Sequence, residues 1–306
     1  MSVPSRLLSH LTLGCLLTVG CGESPPPPSN VRIPIQIRSF DPVVASITGA
    51  VGGEFVQVDP MVPEGVDRAD WRPTPSELAS FLEDDLLLIG GRESWTDTAA
   101  LPSNRTLALD ERLDTELIET DTVVTHSHGP DGDHSHRGIA PNPWLDPDLA
   151  VLISTWIRDA CVRLAPVHQE EFRSNEALWR RRLIEASTGI ELAVNANPTR
   201  PVLFASDGYQ YLQRRYGMNG RYLEWSDVEA IDEARLAELE SARSTHPAVH
   251  LVWPSPPAAS IVEALEARGI ESVVFPLPGR TDTSVDLVEL IESGATGLRS
   301  VYDADS

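Results

Sequence analysis

The chain has 306 residues and a formal net charge of −22 at neutral pH, with 46 acidic side chains against 24 basic ones. An acidic excess of that size, spread along the sequence, opposes nucleic acid and anionic lipid headgroups and draws cations. Every one of the 24 basic residues is arginine, which removes the lysine of a phosphate-binding loop and the lysine of a pyridoxal Schiff base, and with them both chemistries.

At the N-terminus Arg6 precedes a mostly apolar run over 7–19, broken by Ser9 and His10. The run is long enough for the apolar core of an export signal and too short for a spanning helix. It closes on Thr18, Val19, Gly20 and Cys21, which resembles the lipobox of bacterial lipoproteins, although leucine is usual where Thr18 stands. The expectation is a signal peptide over 1–20, lipid attachment at Cys21, and a tether over 21–30 kept extended by Pro25 to Pro28. Cleavage and release without an anchor is the alternative. With Cys15 lost and Cys21 lipidated, Cys161 alone remains, so no internal disulfide forms and the core must hold the fold. The mature length, about 280 residues, exceeds one typical domain and suggests two lobes.

Alternating strands and helices follow. Residues 31–37 read as a strand, 43–51 as a helix and 55–58 as a second strand. A helix over about 76–82 starts at Pro75 and Ser76, and 86–89 is a buried strand ending at Gly90 and Gly91. Residues 148–164 and 168–192 read as two long helices. The second half repeats the alternation, with strands at 202–205, 249–253 and 272–275 and helices at 209–216 and 258–268. The fold class is α/β, and no second apolar stretch is long enough to span a membrane.

Residues 125–147 read THSHGPDGDHSHRGIAPNPWLDP. Four of the eight histidines, His126, His128, His134 and His136, fall within eleven residues among Asp131, Asp133 and glycines. Neutral imidazoles at this density on an acidic loop are a site for a borderline-soft divalent ion such as zinc. The competing reading is a solvated polar loop.

The segments IRSFDPVVASITGAVGGEFVQV, PTPSEL, GGRESW, PWLDP and YQYLQRRYGM occur in an order that resembles the substrate-binding lipoproteins of zinc and manganese ABC importers. The resemblance covers about residues 37–277 and implies two similar α/β lobes joined by one long rigid helix, with the ion in the cleft between them. The implied division is an N-terminal lobe over 31–166 carrying the histidine-rich loop, a linker helix over 167–193 and a C-terminal lobe over 194–306. Carried over residue by residue, however, the four ligand positions of such a cleft fall on Ala69, Asn142, Ser206 and Phe275. A methyl group and a phenyl ring do not bind metal, and an amide or hydroxyl oxygen is a weak ligand for zinc, which takes about four N, O or S donors. Asp70 and Asp207, each beside a lost ligand, are the candidates for a replacement oxygen site.

The resemblance implies an exported, anchored, monomeric receptor that binds a divalent metal ion, zinc or manganese, and hands it to an ABC permease in the periplasm or at the cell surface. With the cleft ligands replaced, the histidine-rich loop becomes the expected capture element. Two other readings stand beside this one. A divergent receptor would take a small organic ligand or metal chelate in a cleft walled by Phe275, Trp253, Asn142 and Ser206. An anchored metal-buffering or interaction protein would have no transport partner. An enzyme is not expected, because FASDGY around Ser206 lacks the Gly-x-Ser-x-Gly elbow and HExxH is absent.

Overall fold

The computed structural model describes residues 34–90, 93, 95–96, 99–127, 133–225 and 228–303. The signal over 1–20, Cys21, the tether over 21–30 and His128 lie outside the described residues. The first half builds β1 (Ile35–Ser39), α1 (Pro42–Gly52), β2 (Val56–Pro60), α2 (Pro75–Phe81), β3 (Leu86–Ile89), β4 (Thr106–Ala108) and α3 (Leu109–Leu113). Its four strands form a parallel sheet in the order β2-β1-β3-β4. Asp41 caps α1 by accepting the Val43 and Val44 N–H groups at 2.7 and 3.0 Å, and Thr74 with Glu77 closes a capping box at α2.

Next comes an antiparallel ribbon of β5 (Glu119–Ser127) and β6 (Asp133–Ile139), followed by the long helices α4 (Pro147–Leu164) and α5 (Gln169–Ala196). The second half adds β7 (Val202–Phe204), α6 (Gln210–Tyr216), β8 (Gly220–Tyr222), α7 (Glu233–Thr245), β9 (His250–Trp253), α8 (Ala259–Glu266), β10 (Glu271–Val274) and α9 (Leu287–Tyr302). Its parallel sheet runs β10-β9-β7-β8. Read from the other edge, β8-β7-β9-β10 repeats the order of the first sheet, so the two lobes share one topology, with the 28-residue α5 between them in sequence.

Both faces of each sheet are covered, and alternate residues of a strand go to different layers. Leu86 and Leu88 join one core with Val202, Phe204, Val252 and residues of α1, α4, α5 and α9. Leu87 and Ile89 pack outward with Trp71, Phe81 and Trp95. Leu203, Leu251 and Trp253 pack outward with Trp225, Leu239, Ile261 and Leu265. The first of these layers is continuous through both lobes.

The sequence reading missed β4, α3, β8 and α7, and two further elements depart from it in an instructive way. The histidine-rich stretch, expected as a loop, has strand backbone on both flanks, with Val124 paired to His136 and His126 to His134. The alternation His-Ser-His on each side of Gly-Pro-Asp-Gly-Asp is a hairpin signal that the histidine composition obscured. Helix α9, whose pattern is interrupted by Gly294 and Gly297, was not expected either. A Cβ at Gly294 would lie 2.4–2.6 Å from the Phe275 ring, and one at Gly297 would lie 2.4 Å from the Val274 carbonyl oxygen. The glycines that weaken the helical pattern are therefore what allow the helix to lie against β10.

Candidate functional site

The four expected cleft positions come from four loops. Ala69 is exposed in the loop before α2, and its N–H bonds to Asp67 Oδ1 at 2.9 Å. Asn142 precedes the turn Pro143–Leu145 with φ of 64°, a left-handed conformation that asparagine tolerates better than most residues. Ser206 follows β7, and Phe275 follows β10.

Asn142 and Ser206 converge on Gly208. The Asn142 Nδ2 donates to the Gly208 carbonyl at 3.1 Å, and Ser206 Oγ accepts the Gly208 N–H at 3.0 Å. A Cβ at Gly208 would meet Leu277 Cδ1 at 2.9 Å, Asn142 Nδ2 at 3.0 Å and Ser206 Oγ at 3.2 Å. Direct contacts between the lobes therefore fill this part of the seam. Asn142→Gly keeps the backbone conformation and removes the bond, while Asn142→Ala also strains a positive φ. We expect costs of about 1 and about 2 kcal/mol respectively, read as shifts in urea midpoint. Equal costs would mean that the conformation contributes nothing.

Phe275 does not face this seam. It is fully buried, its ring lies over Gly294 and meets Tyr209 edge-on at 5.8 Å, and its carbonyl accepts the Tyr209 hydroxyl at 2.6 Å. Trp253 belongs to the outward layer with Trp225, 6.3 Å away, whereas Phe275 belongs to the continuous core. The expectation that Phe275 and Trp253 together wall a ligand cleft is corrected here, because the two rings lie in different core layers. Asp70 and Asp207 are exposed, and no cluster of three His, Cys, Asp or Glu side chains suited to a metal occurs among the residues whose side chains are described, which leave out 121–137.

The feature that sequence reasoning missed is a set of contacts between residues 67–69 and the turn at 279–282. The Arg68 guanidinium donates to the Asp282 carbonyl at 2.5 Å and the Gly279 carbonyl at 2.7 Å. The Arg68 N–H reaches the Arg280 carbonyl at 3.2 Å, and Arg280 Nε pairs with Asp67 Oδ2 at 2.7 Å. The Ala69 N–H and the Arg280 side chain hold the Asp67 carboxyl below its ordinary range. Arg68 also acts on Asp41: burial pushes that carboxyl up, while helix N–H groups, the Arg68 charge and the Trp144 indole pull it back. The sequence signal was present in Arg68, adjacent to a lost ligand, but its partners lie more than 210 residues away.

On the ribbon, the register puts His126 directly opposite His134, with His136 two residues further along β6. Period two places all three positions on one face. Three further histidines among the described residues have structural surroundings. His168 stacks on Phe55 at 4.0 Å, His246 Nε2 lies 3.1 Å from the Val202 carbonyl, and burial lowers the pKa of the enclosed His250. Cys161 is buried and its thiol is pushed up to about 12, so it is unreactive. Among the described residues no helix is long and apolar enough to cross a membrane.

The family model described as zinc-uptake complex component A, periplasmic, matches residues 39–300. The manganese ABC transporter substrate-binding lipoprotein PsaA of Streptococcus pneumoniae is 19% identical over 222 residues, which is 69% of each protein. The zinc-binding protein AdcA of Streptococcus pyogenes is 20% identical over 262 residues, covering 80% of this chain and 51% of the relative, so the chain spans about half the length of that protein. Among solved structures, the metal-dependent lipoprotein YcdH of Bacillus subtilis superposes with a TM-score of 0.70 at 17% identity, covering 88% of this chain and 99% of the other. The Zn(II)-bound ZnuA-like domain of Streptococcus pneumoniae AdcA gives 0.66 at 18% identity, with coverage of 88% and 98%. These structures share the two-lobed fold.

Proposed function

Because the chain belongs to the family of zinc-uptake complex component A, whose members are substrate-binding receptors rather than enzymes, we propose that it is an exported, monomeric receptor that binds divalent metal on its histidine ribbon and passes it to an ABC permease. Cys21 is its lipid anchor, and the tether over 21–30 holds it off the membrane. Zinc is the preferred ion and manganese the second. The N-terminal lobe spans 31–166, the linker 167–193 and the C-terminal lobe 194–306.

The register of the ribbon carries this reading. Residues directly opposite in an antiparallel pair have Cβ atoms about 4.5–5.5 Å apart, near enough for two imidazoles to share one ion. His126 and His134 are such a pair, and His136 adds a third position on the same face. His128, Asp131 and Asp133 are further donors that the sequence supplies nearby. The cleft, in contrast, offers an amide, a hydroxyl and a methyl group. The organic-ligand reading loses its walls now that Phe275 and Trp253 lie in separate layers.

Calorimetric titration of zinc and of manganese into the chain from Gly22 onward, beside a variant with His126, His128, His134 and His136 changed to alanine, tests the proposal. The expected result is zinc binding by the intact chain and a loss of at least about a hundredfold in the variant, since each imidazole removed leaves the ion without a ligand. Unchanged affinity in the variant would overturn the assignment to the ribbon.

A further inference from the structure

We propose that Arg68 is a tethered cation that holds the two lobes closed in place of an ion in the cleft, so that this receptor keeps its shut form without metal. The inference rests on the reading above only in taking the cleft ligands as lost, and it does not depend on what the ribbon binds.

Arg68 stands next to Ala69, the first of the replaced ligand positions, and its side chain crosses from the N-terminal lobe to the C-terminal one. Its two terminal nitrogens take the carbonyls of Gly279 and Asp282 at 2.7 and 2.5 Å. The turn that receives them is fixed from within, because the Gly279 N–H donates to Asp282 Oδ2 at 2.7 Å and the Asp282 N–H to the Gly279 carbonyl at 3.2 Å. The two carbonyls are thus presented at a set spacing to a planar fork of donors, the geometry a guanidinium is built to satisfy. The backbone bond from Arg68 to Arg280 and the pair between Arg280 and Asp67 fasten the same two segments on either side. The guanidinium also lies near enough to Asp41, at the start of α1, to draw its carboxyl downward against the effect of burial. Two backbone carbonyl oxygens turned toward a positive centre are surroundings a cation would find. Here the cation is part of the chain and always charged.

The physical difference from a metal is permanence. A bound ion closes two lobes only while it is bound, and chelation opens them. A guanidinium on the chain has no free concentration and cannot be removed by chelation. Its bonds are charge-assisted and made to backbone oxygens, which places them above ordinary exposed ion pairs. The contacts that Asn142 and Leu277 make over Gly208 seal the seam deeper in. A closed form kept in this way also puts a fixed positive charge one residue from Ala69, which opposes an incoming divalent ion.

Hydrogen–deuterium exchange of the chain from Gly22 onward, with and without chelator, tests the proposal on peptides covering residues 67–70 and 279–282. In the wild type these amides should exchange slowly, and chelator should leave the rates unchanged. Arg68→Ala should raise exchange in both segments by about ten- to a hundredfold, as expected for a local opening no longer restrained by charge-assisted bonds. Arg68→Lys, which keeps the charge and loses the fork, should fall between. Arg280→Ala, which removes the Asp67 pair and leaves the Arg68 fork in place, should have a smaller effect. Wild-type rates in Arg68→Ala would overturn the proposal. So would a chelator-dependent opening of the wild type, because that would put an ion in the role given to Arg68. Both segments are exposed loops, and the thermal midpoint reports whether each variant remains folded. The histidine variant should lose zinc while keeping slow exchange here, so failure of the ribbon assignment and failure of the clasp give different results.

Discussion

Phe275→Asp, the single change that returns an acidic residue to a replaced ligand position, is expected to unfold the C-terminal lobe rather than to create a metal site. The ring it removes is fully buried, lies over Gly294 and meets Tyr209 edge-on. Truncating a buried phenylalanine costs about 3–5 kcal/mol in lost transfer energy and cavity, and a carboxyl left there is either ionised without a partner or held protonated at further cost. A total loss near 5 kcal/mol is comparable with the whole stability of many domains and corresponds to a fall of roughly 10–20 °C in thermal midpoint. Phe275→Leu, which keeps the site apolar, should cost about 1–2 kcal/mol. Thermal unfolding followed by circular dichroism, with and without zinc, separates the cases. A folded Phe275→Asp protein with a zinc-dependent rise in midpoint would show that the position still faces the cleft and that the buried ring is not its native arrangement.

The position of Phe275 was legible in the sequence and its direction was not. The segment VVFPLPG fixes where the strand ends, but the layer that a residue after a strand enters depends on what packs there. That partner is α9, whose glycines at 294 and 297 hid the helix and at the same time make room for the ring and for the Val274 carbonyl. Most of the α/β order could be read ahead because the buried strands are short apolar runs and the helices start at marked caps, as with Asp41 before Pro42 and Thr74 before Pro75. The long helix expected over 168–192 is α5, extended at its end to Ala196. Of the candidate site, Asn142 and Ser206 do come together, both on Gly208, as two positions of one implied cleft should. The exposed Ala69, Asp70 and Asp207 form no ligand set. The Arg68 clasp was beyond reach because hydrogen bonds to distant carbonyls leave no pattern in composition or periodicity.

Trp144→Ala should produce a loss of similar size for a different reason. Trp144, in the PWLDP segment, is buried in the core layer that runs through both lobes, and its indole N–H acts on the Asp41 carboxyl that caps α1, helping to pull its pKa down. Removing it costs about 3–5 kcal/mol for the cavity alone. Trp144→Phe isolates the polar part, expected near 1–2 kcal/mol. The pH dependence tells the two contributions apart. Asp41 binds its proton more tightly folded than unfolded, because burial outweighs the groups that pull its pKa down. A raised carboxyl of this kind favours folding at low pH, and that advantage is lost as pH rises through the folded value. Losing the indole N–H raises the folded value further, so the deficit of Trp144→Phe should widen as pH rises through it and shrink once Asp41 is protonated in both states. The deficit of Trp144→Ala should retain a large part that does not change with pH, because a cavity does not titrate. Urea midpoints measured across that range give both numbers. A pH-independent Trp144→Phe deficit would separate the ring from Asp41, and a Trp144→Ala loss below about 1 kcal/mol would deny it the place in the shared core.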